Sequence, residues 1–187
     1  MTTGTSSSFT QDMAGKSVLI VDDDPETMLF VVRAFRERHL SVRIETHLRD
    51  AFERLNQDAE RQKIGLVIVD LQFIGQELPA ALLESRRTLG GNATANNTGQ
   101  ALGYWLWQQK SKQPEEWPRY VYTSISPSFW QRAEKPDVQE FGSGEEIQET
   151  FVLGKLLPGG EEFCAALEKA WDAWTTLEAH HMSRKAP

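Results

Sequence analysis

The sequence predicts an α/β fold, a parallel sheet of five strands with helices on both faces, and three observations carry that expectation. Two short runs, Val18 to Val21 and Leu66 to Val69, are apolar at every position, as strands buried on both faces are. Segments with a helical apolar period separate the candidate strands, so strand and helix alternate along the chain. The 187 residues are 40% hydrophobic and 25% charged, the make-up of one globular domain with room for an appendage.

Residues 1–16, rich in Ser, Thr and Gly, are expected to be a flexible N-terminal tail. SVLIVDDDP follows, a first strand running into Asp22 and Asp23. Asp24 reads as a side-chain helix cap, with Pro25 at the first helical position and Glu26 in the first turn. Met28, Val32 and Phe35 carry the apolar stripe of that helix to about residue 39. Val42 and Ile44 alternate with polar neighbours in a short second strand, and Ala51, Phe52 and Leu55 mark the helix after it. The third strand, Leu66 to Val69, runs into Asp70. A helix over about 99–111 puts Leu102, Trp105 and Leu106 on one face and Tyr104 and Trp107 on another. Tyr120 to Tyr122 make a fourth strand that runs into Thr123 and Ser124, and Phe151 to Leu153 a fifth that runs into Lys155. Phe163, Leu167, Ala170, Trp174 and Leu177, spaced by threes and fours, define a last helix, so the domain spans 17–178 and leaves 179–187 as a C-terminal tail.

Two stretches break the rhythm. Residues 76–98 form an insertion with a short helix over about 78–88 and a Gly/Asn/Thr loop; it is either an inert, mobile excursion or a lid that starts beside Asp70. Residues 131–148, between the fourth and fifth strands, mix charges with Pro136, Gly142 and Gly144.

Composition narrows the function. Asp plus Glu exceed Lys plus Arg by 27 to 20, a net charge of −7, which argues against a nucleic-acid partner. Val18 to Val21 is far short of the roughly 20 residues needed to cross a bilayer, and residues 1–16 lack a cationic start with an apolar core, so neither a membrane partner nor a secretory signal is expected. A single cysteine, Cys164, reads as packing in a reducing, cytoplasmic setting. His39, His47, His180 and His181 show no ligand spacing and read as surface residues. Trp105, Trp171 and Trp174 fit a core, whereas Trp107, Trp117 and Trp130 are candidates for a partly exposed partner surface.

In an open parallel sheet, ligands bind beyond the carboxyl ends of the strands. There the chain places Asp22 and Asp23, Asp70, Thr123 and Lys155. Three carboxylates held together repel unless a cation joins them, and hard divalent ions such as Mg2+ take oxygen ligands. Three acids, one Lys155 and one Mg2+ sum to zero charge. Lys155 and the Thr123 hydroxyl could then contact the oxygens of a phosphoryl group.

With VLIVDDDP, LVIVD, YVYTS and FVLGK each closing at a strand end, residues 17–178 resemble the receiver domain of two-component response regulators. The resemblance implies a flavodoxin-like sheet in the order 2-1-3-4-5. It makes Asp70 the phosphoacceptor and Thr123 the switch hydroxyl, with Lys155 bonding the phosphoryl group. Mg2+ would be held by Asp23 and Asp70 directly, by Asp22 through water, and by the Gln72 backbone carbonyl. It further implies a signalling receiver and not an enzyme, phosphorylated by a sensor histidine kinase or phosphotransfer protein and acting on a downstream protein target. About ten residues follow the last helix, so a stand-alone receiver is expected.

Some positions depart from the family pattern. Gly75 keeps the family's glycine five residues after the acceptor, but Ile74 replaces a proline, Leu156 replaces the proline after the lysine, and Val152 takes the place of the aromatic switch residue, with Phe151 one position off. Asp70 to Thr123 spans 53 positions and Thr123 to Lys155 spans 32, both longer than a minimal receiver needs. The chemistry is therefore expected intact and the Thr–aromatic readout altered. Two other readings remain: a pseudo-receiver that binds partners without phosphorylation, and a Mg2+-dependent aspartyl phosphohydrolase using Asp22 with Asp24 two positions on.

Overall fold

The two runs of apolar residues become the centre of a sheet, as their composition requires. The structure, a computed structural model, describes residues 8–89, 98–132, 139–141, 147–155 and 159–185. Strands β1 (Ser17–Val21), β2 (Ser41–Glu45), β3 (Ile64–Asp70), β4 (Arg119–Ser124) and β5 (Val152–Gly154) are all parallel and lie in the order β2-β1-β3-β4-β5. Every residue of β1 and β3 is buried, whereas β2, at one edge, is half exposed, which accounts for its alternating sequence. This is the doubly wound, flavodoxin-like arrangement expected from the sequence.

Helices α1 (Ser8–Asp12), α2 (Leu29–Glu37), α3 (Leu48–Asn56), α4 (Asp58–Arg61), α5 (Ala80–Leu89), α6 (Thr98–Lys112), α7 (Ile147–Phe151) and α8 (Gly160–Lys185) complete the chain. α1, α2 and α8 pack together on one side of the sheet, and α3, α5 and α6 on the other.

Several expectations change. The tail expected over 1–16 is ordered from residue 8: Phe9 and Met13, four apart, bury themselves against the sheet domain, with the Phe9 ring 5.1 Å from Trp171 and 6.4 Å from Phe35. Residues 1–7 lie outside the described residues. The C-terminal tail expected over 179–187 is helical to Lys185, because α8 continues without a break. In the 76–98 insertion, the short helix expected over about 78–88 is present over residues 80–89, but it packs on α6 with Leu82, Ser85 and Leu89 buried and is no loose excursion; the loop expected after it, residues 90–97, lies outside the described residues. Asp24 makes no side-chain cap; Pro25–Met28 is instead a 3-10 turn ahead of α2, held by a Thr27 N–H bond to the Asp24 carbonyl (3.2 Å). Trp117 is buried, edge-on to Trp105 at 5.1 Å and under the Arg61 guanidinium at 4.2 Å. Phe151 belongs to α7, and the fifth strand starts one residue later.

β5 is only three residues long, so on its β5 side β4 has no strand neighbour below the Tyr122–Val152 pair among the described residues. Aromatic side chains fill that edge. The Trp174 indole donates to the Tyr120 carbonyl at 2.7 Å, and Phe141 stacks on Phe151 with centroids 4.0 Å apart.

Candidate functional site

Parallel strands that end at one level bring their last residues together. Asp22 follows β1, Asp70 ends β3 in register with Thr123 of β4, and Lys155 follows β5, its N–H bonded to the Ser124 carbonyl (2.9 Å). The structure therefore gathers Asp22, Asp23, Asp70, Thr123 and Lys155 at one edge of the sheet.

Asp22, Asp23 and Asp70 each offer a carboxylate oxygen within 4.8 Å of the others. Lys155 Nζ lies 2.8 Å from Asp22 Oδ2 and 2.9 Å from Asp70 Oδ2, bridging the two buried acids. Asp22 is fully buried, and its Oδ1 accepts the Asp24 N–H at 2.9 Å, which turns the chain after β1. Asp23 is exposed, and its Oδ2 accepts the Ile74 N–H at 3.2 Å. Thr123 is buried, and its Oγ1 has no hydrogen-bond partner among the described residues.

Burial governs the charges. It pushes the Asp70 carboxyl up to about 6, with Asp22 adding to the rise and Lys155 and the Gln72 N–H opposing it. Asp22 is raised for the same first reason. Burial alone would lower Lys155, but the charges of Asp70 and Asp22 outweigh it and hold the ammonium above its ordinary value.

The donor set suits a hard divalent cation. It is all oxygen, it carries more negative charge than Lys155 balances, and Asp23 stands exposed at its mouth. Thr123 offers a buried hydroxyl with no present partner, placed level with Asp70. Gln72 follows β3 by two residues and is half-buried, with its N–H towards Asp70. Val152 pairs with Tyr122 inside the sheet, and Leu156 lies outside the described residues.

Of three positioning features, the Gln76 bridge and the Gly99 contact were not read from the sequence, and Gly75 was noted only for its place in the family pattern. The Gln76 amide joins the loop after Asp70 to the start of α3: Oε1 accepts the Leu48 N–H at 2.9 Å and Nε2 donates to the Thr46 carbonyl at 2.8 Å. Gly75 lies at φ +68°, the turn its missing side chain permits, and leaves Ile74 89% exposed. Gly99 lets α6 rest on the end of β3, since a Cβ there would sit 1.7 Å from the Asp70 carbonyl oxygen. Only Gly75, a glycine between loop residues, carried a local signal.

A scan against models of protein families finds no match, and no curated protein is similar. The chain is similar to the solved response regulator of Thermotoga maritima (16% identity, 83% of this chain and 98% of that one, TM-score 0.44). It is also similar to the N-terminal domain of a response regulator/sensory box/GGDEF three-domain protein of Carboxydothermus hydrogenoformans (15%, 88% and 98%, TM-score 0.47). A CheY-like response regulator receiver domain of Methanospirillum hungatei JF-1 is a third (12%, 88% and 98%, TM-score 0.44). The chain's own sheet order is the one that receiver domains share.

Proposed function

We propose that the chain is a receiver of a phosphorelay, with Asp70 as the acceptor of a phosphoryl group. The observation that carries this reading is one cluster: three carboxylates within 4.8 Å, Lys155 between two of them, and the unpartnered Thr123 hydroxyl level with Asp70. Phosphoryl transfer needs positioning and charge neutralisation, and these residues supply both.

In this reading Asp23 and Asp70, with Asp22 through water and the Gln72 carbonyl, hold Mg2+. The ion supplies positive charge against the acids and the incoming phosphoryl oxygens. An Asp70 carboxylate oxygen attacks phosphorus, the phosphorus bond to a donor histidine nitrogen or small phosphodonor breaks, and the leaving group keeps the electron pair. Lys155 Nζ and Thr123 Oγ1 then bond the new phosphoryl oxygens. Those contacts exist only in the phosphorylated state, so they can bias a conformational equilibrium. The donor is a sensor kinase or phosphotransfer protein, the output a contact with a downstream protein, and the setting cytoplasmic.

One observation favours a pseudo-receiver as second reading: Lys155 bridges Asp22 and Asp70, so the chain's own ammonium already offsets part of the buried acids' charge. The test is incubation with labelled acetyl phosphate and Mg2+, comparing wild type with Asp70→Asn. The reading predicts one equivalent of label on the wild type, none on the variant and none without Mg2+; label that persists in Asp70→Asn overturns it.

A further inference from the structure

Glu140 is a buried acid with no role in the chemistry above. Its Oε1 accepts the hydroxyl of Tyr120 at 2.6 Å and of Tyr122 at 2.5 Å, and Gln100 Nε2 donates to Oε2 at 3.4 Å. The Trp130 indole faces the same carboxylate without completing a well-formed hydrogen bond. No cation among the described residues pairs with it: Arg132 bonds the Gln139 side chain, and Lys110 of α6 bonds Glu178. Phe141, Phe151 and Trp174 complete the enclosure with apolar rings.

Two features of this pair of residues oppose their present position. A carboxylate in an apolar enclosure without a cation is strongly disfavoured when ionised. Phe141, next in sequence, is held at φ +57°, a left-handed conformation that a bulky residue occupies only when its surroundings impose it. What holds the pair is the Tyr120–Tyr122–Gln100 cradle and the Phe141–Phe151 stack. Gln100 also clasps Gln131, accepting its N–H at 3.1 Å and donating to its carbonyl at 2.5 Å, so one α6 side chain grips both flanks of the 132–139 stretch.

We propose that Glu140 is a proton-operated latch: protonated, it stays seated against β4 and α6, and on ionisation it is released towards water and takes Phe141 out of its stack. Burial raises the seated carboxyl from 4.5 to about 7, opposed by the bonds from Tyr120, Tyr122 and Gln100. Tyr120 and Tyr122, the other titratable groups facing it, are themselves raised well above their ordinary value by burial and remain donors throughout. The seated state holds a proton that the released state lacks between pH 4.5 and about 7. Raising pH through that window therefore favours release, by up to tenfold per unit and about two orders of magnitude in all.

This inference does not depend on the phosphoacceptor reading. Its test is hydrogen exchange at the Glu140 and Phe141 amides, corrected for intrinsic rate, from pH 4.5 to 7.5 on wild type and Glu140→Gln, which keeps an acceptor for the tyrosines and cannot titrate. The latch predicts an opening equilibrium that rises about two orders of magnitude in wild type and stays flat in the variant. A direct titration of the 13C-labelled Glu140 carboxyl in wild type decides the matter should the variant not fold, with a midpoint near 7 expected. Opening independent of pH, an identical rise in Glu140→Gln, or a carboxyl midpoint below about 5 overturns the latch.

Discussion

Lys155 sits almost without solvent between two carboxylates that would otherwise repel each other in a poorly solvated space. Removing one partner of a buried ion pair costs about 3 kcal/mol or more, because the charges left behind stay desolvated. Lys155→Met is therefore expected to lower the unfolding free energy by about 3 kcal/mol in urea titrations. Added Mg2+ is expected to restore more of the loss in the variant than it adds to the wild type, since the uncompensated acids attract it more. Equal effects of Mg2+ on both proteins would count against a cation site at these acids. At this scale the site was largely legible: acids and Lys155 stand at apolar strand ends, and the parallel sheet does the rest. Glu140 was not legible, because its burial comes from Tyr120, Tyr122 and Gln100, which lie 20, 18 and 40 positions from it and meet it only after α6 packs on β4.

α6 packs closely on the carboxyl end of β3. Gly99 touches the Asp70 carbonyl, its N–H donates to the Leu71 carbonyl at 3.2 Å, and Thr98 Oγ1 donates to the Phe73 carbonyl at 3.0 Å. One turn on, a Cβ at Gly103 would lie 2.1 Å from the Tyr122 hydroxyl oxygen. Gly99→Ala must push α6 off a backbone atom that cannot yield, and is expected to cost about 3 kcal/mol in denaturant unfolding. A loss within a few tenths of that of an exposed Gly→Ala control would contradict the close approach. α1 is the second informative element. Phe9→Ala is expected to destabilise by about 3 kcal/mol, seen as a drop in midpoint on thermal unfolding, since it empties a site between Phe35 and Trp171. Its surrounding Ser, Thr and Gly suggested a tail, and the one contrary signal was the spacing of Phe9 and Met13 by a helical turn. α7 was missed for a different reason: five residues are too few to show a period, and its helix ends at the aromatic residue that reads as the start of β5.

On the molecule as a whole, three of the large exposed apolar residues among the described residues follow a strand-end site residue closely in sequence. Leu29 opens α2 after the Asp22–Asp23 turn, Ile74 follows Asp70 by four residues, and Ile125 follows Thr123 by two. If Asp70 is the acceptor as proposed, a protein donor would contact these residues on its way to it, whereas a small phosphodonor would not. Ile74→Asp is therefore expected to slow phosphorylation by the donor protein about tenfold and leave the acetyl phosphate rate unchanged, as measured by label incorporation from each. Equal slowing of both would place Ile74 in the chemistry and not in docking. The overall architecture was legible because strand and helix alternate with distinct periods. Of its lengthened connections, the short helix that is α5 was legible and α7 was not.

The central claim is that Asp70, Thr123 and Lys155 form one phosphoryl-accepting site. A crystal structure of the protein with Mg2+ and beryllofluoride tests it most directly. The account predicts beryllium bonded to an Asp70 carboxylate oxygen, fluorides within hydrogen-bonding distance of Thr123 Oγ1 and Lys155 Nζ, and the metal against Asp23. A structure in the same conditions with Asp70 unmodified, and Lys155 still bridging Asp22 and Asp70, would contradict it.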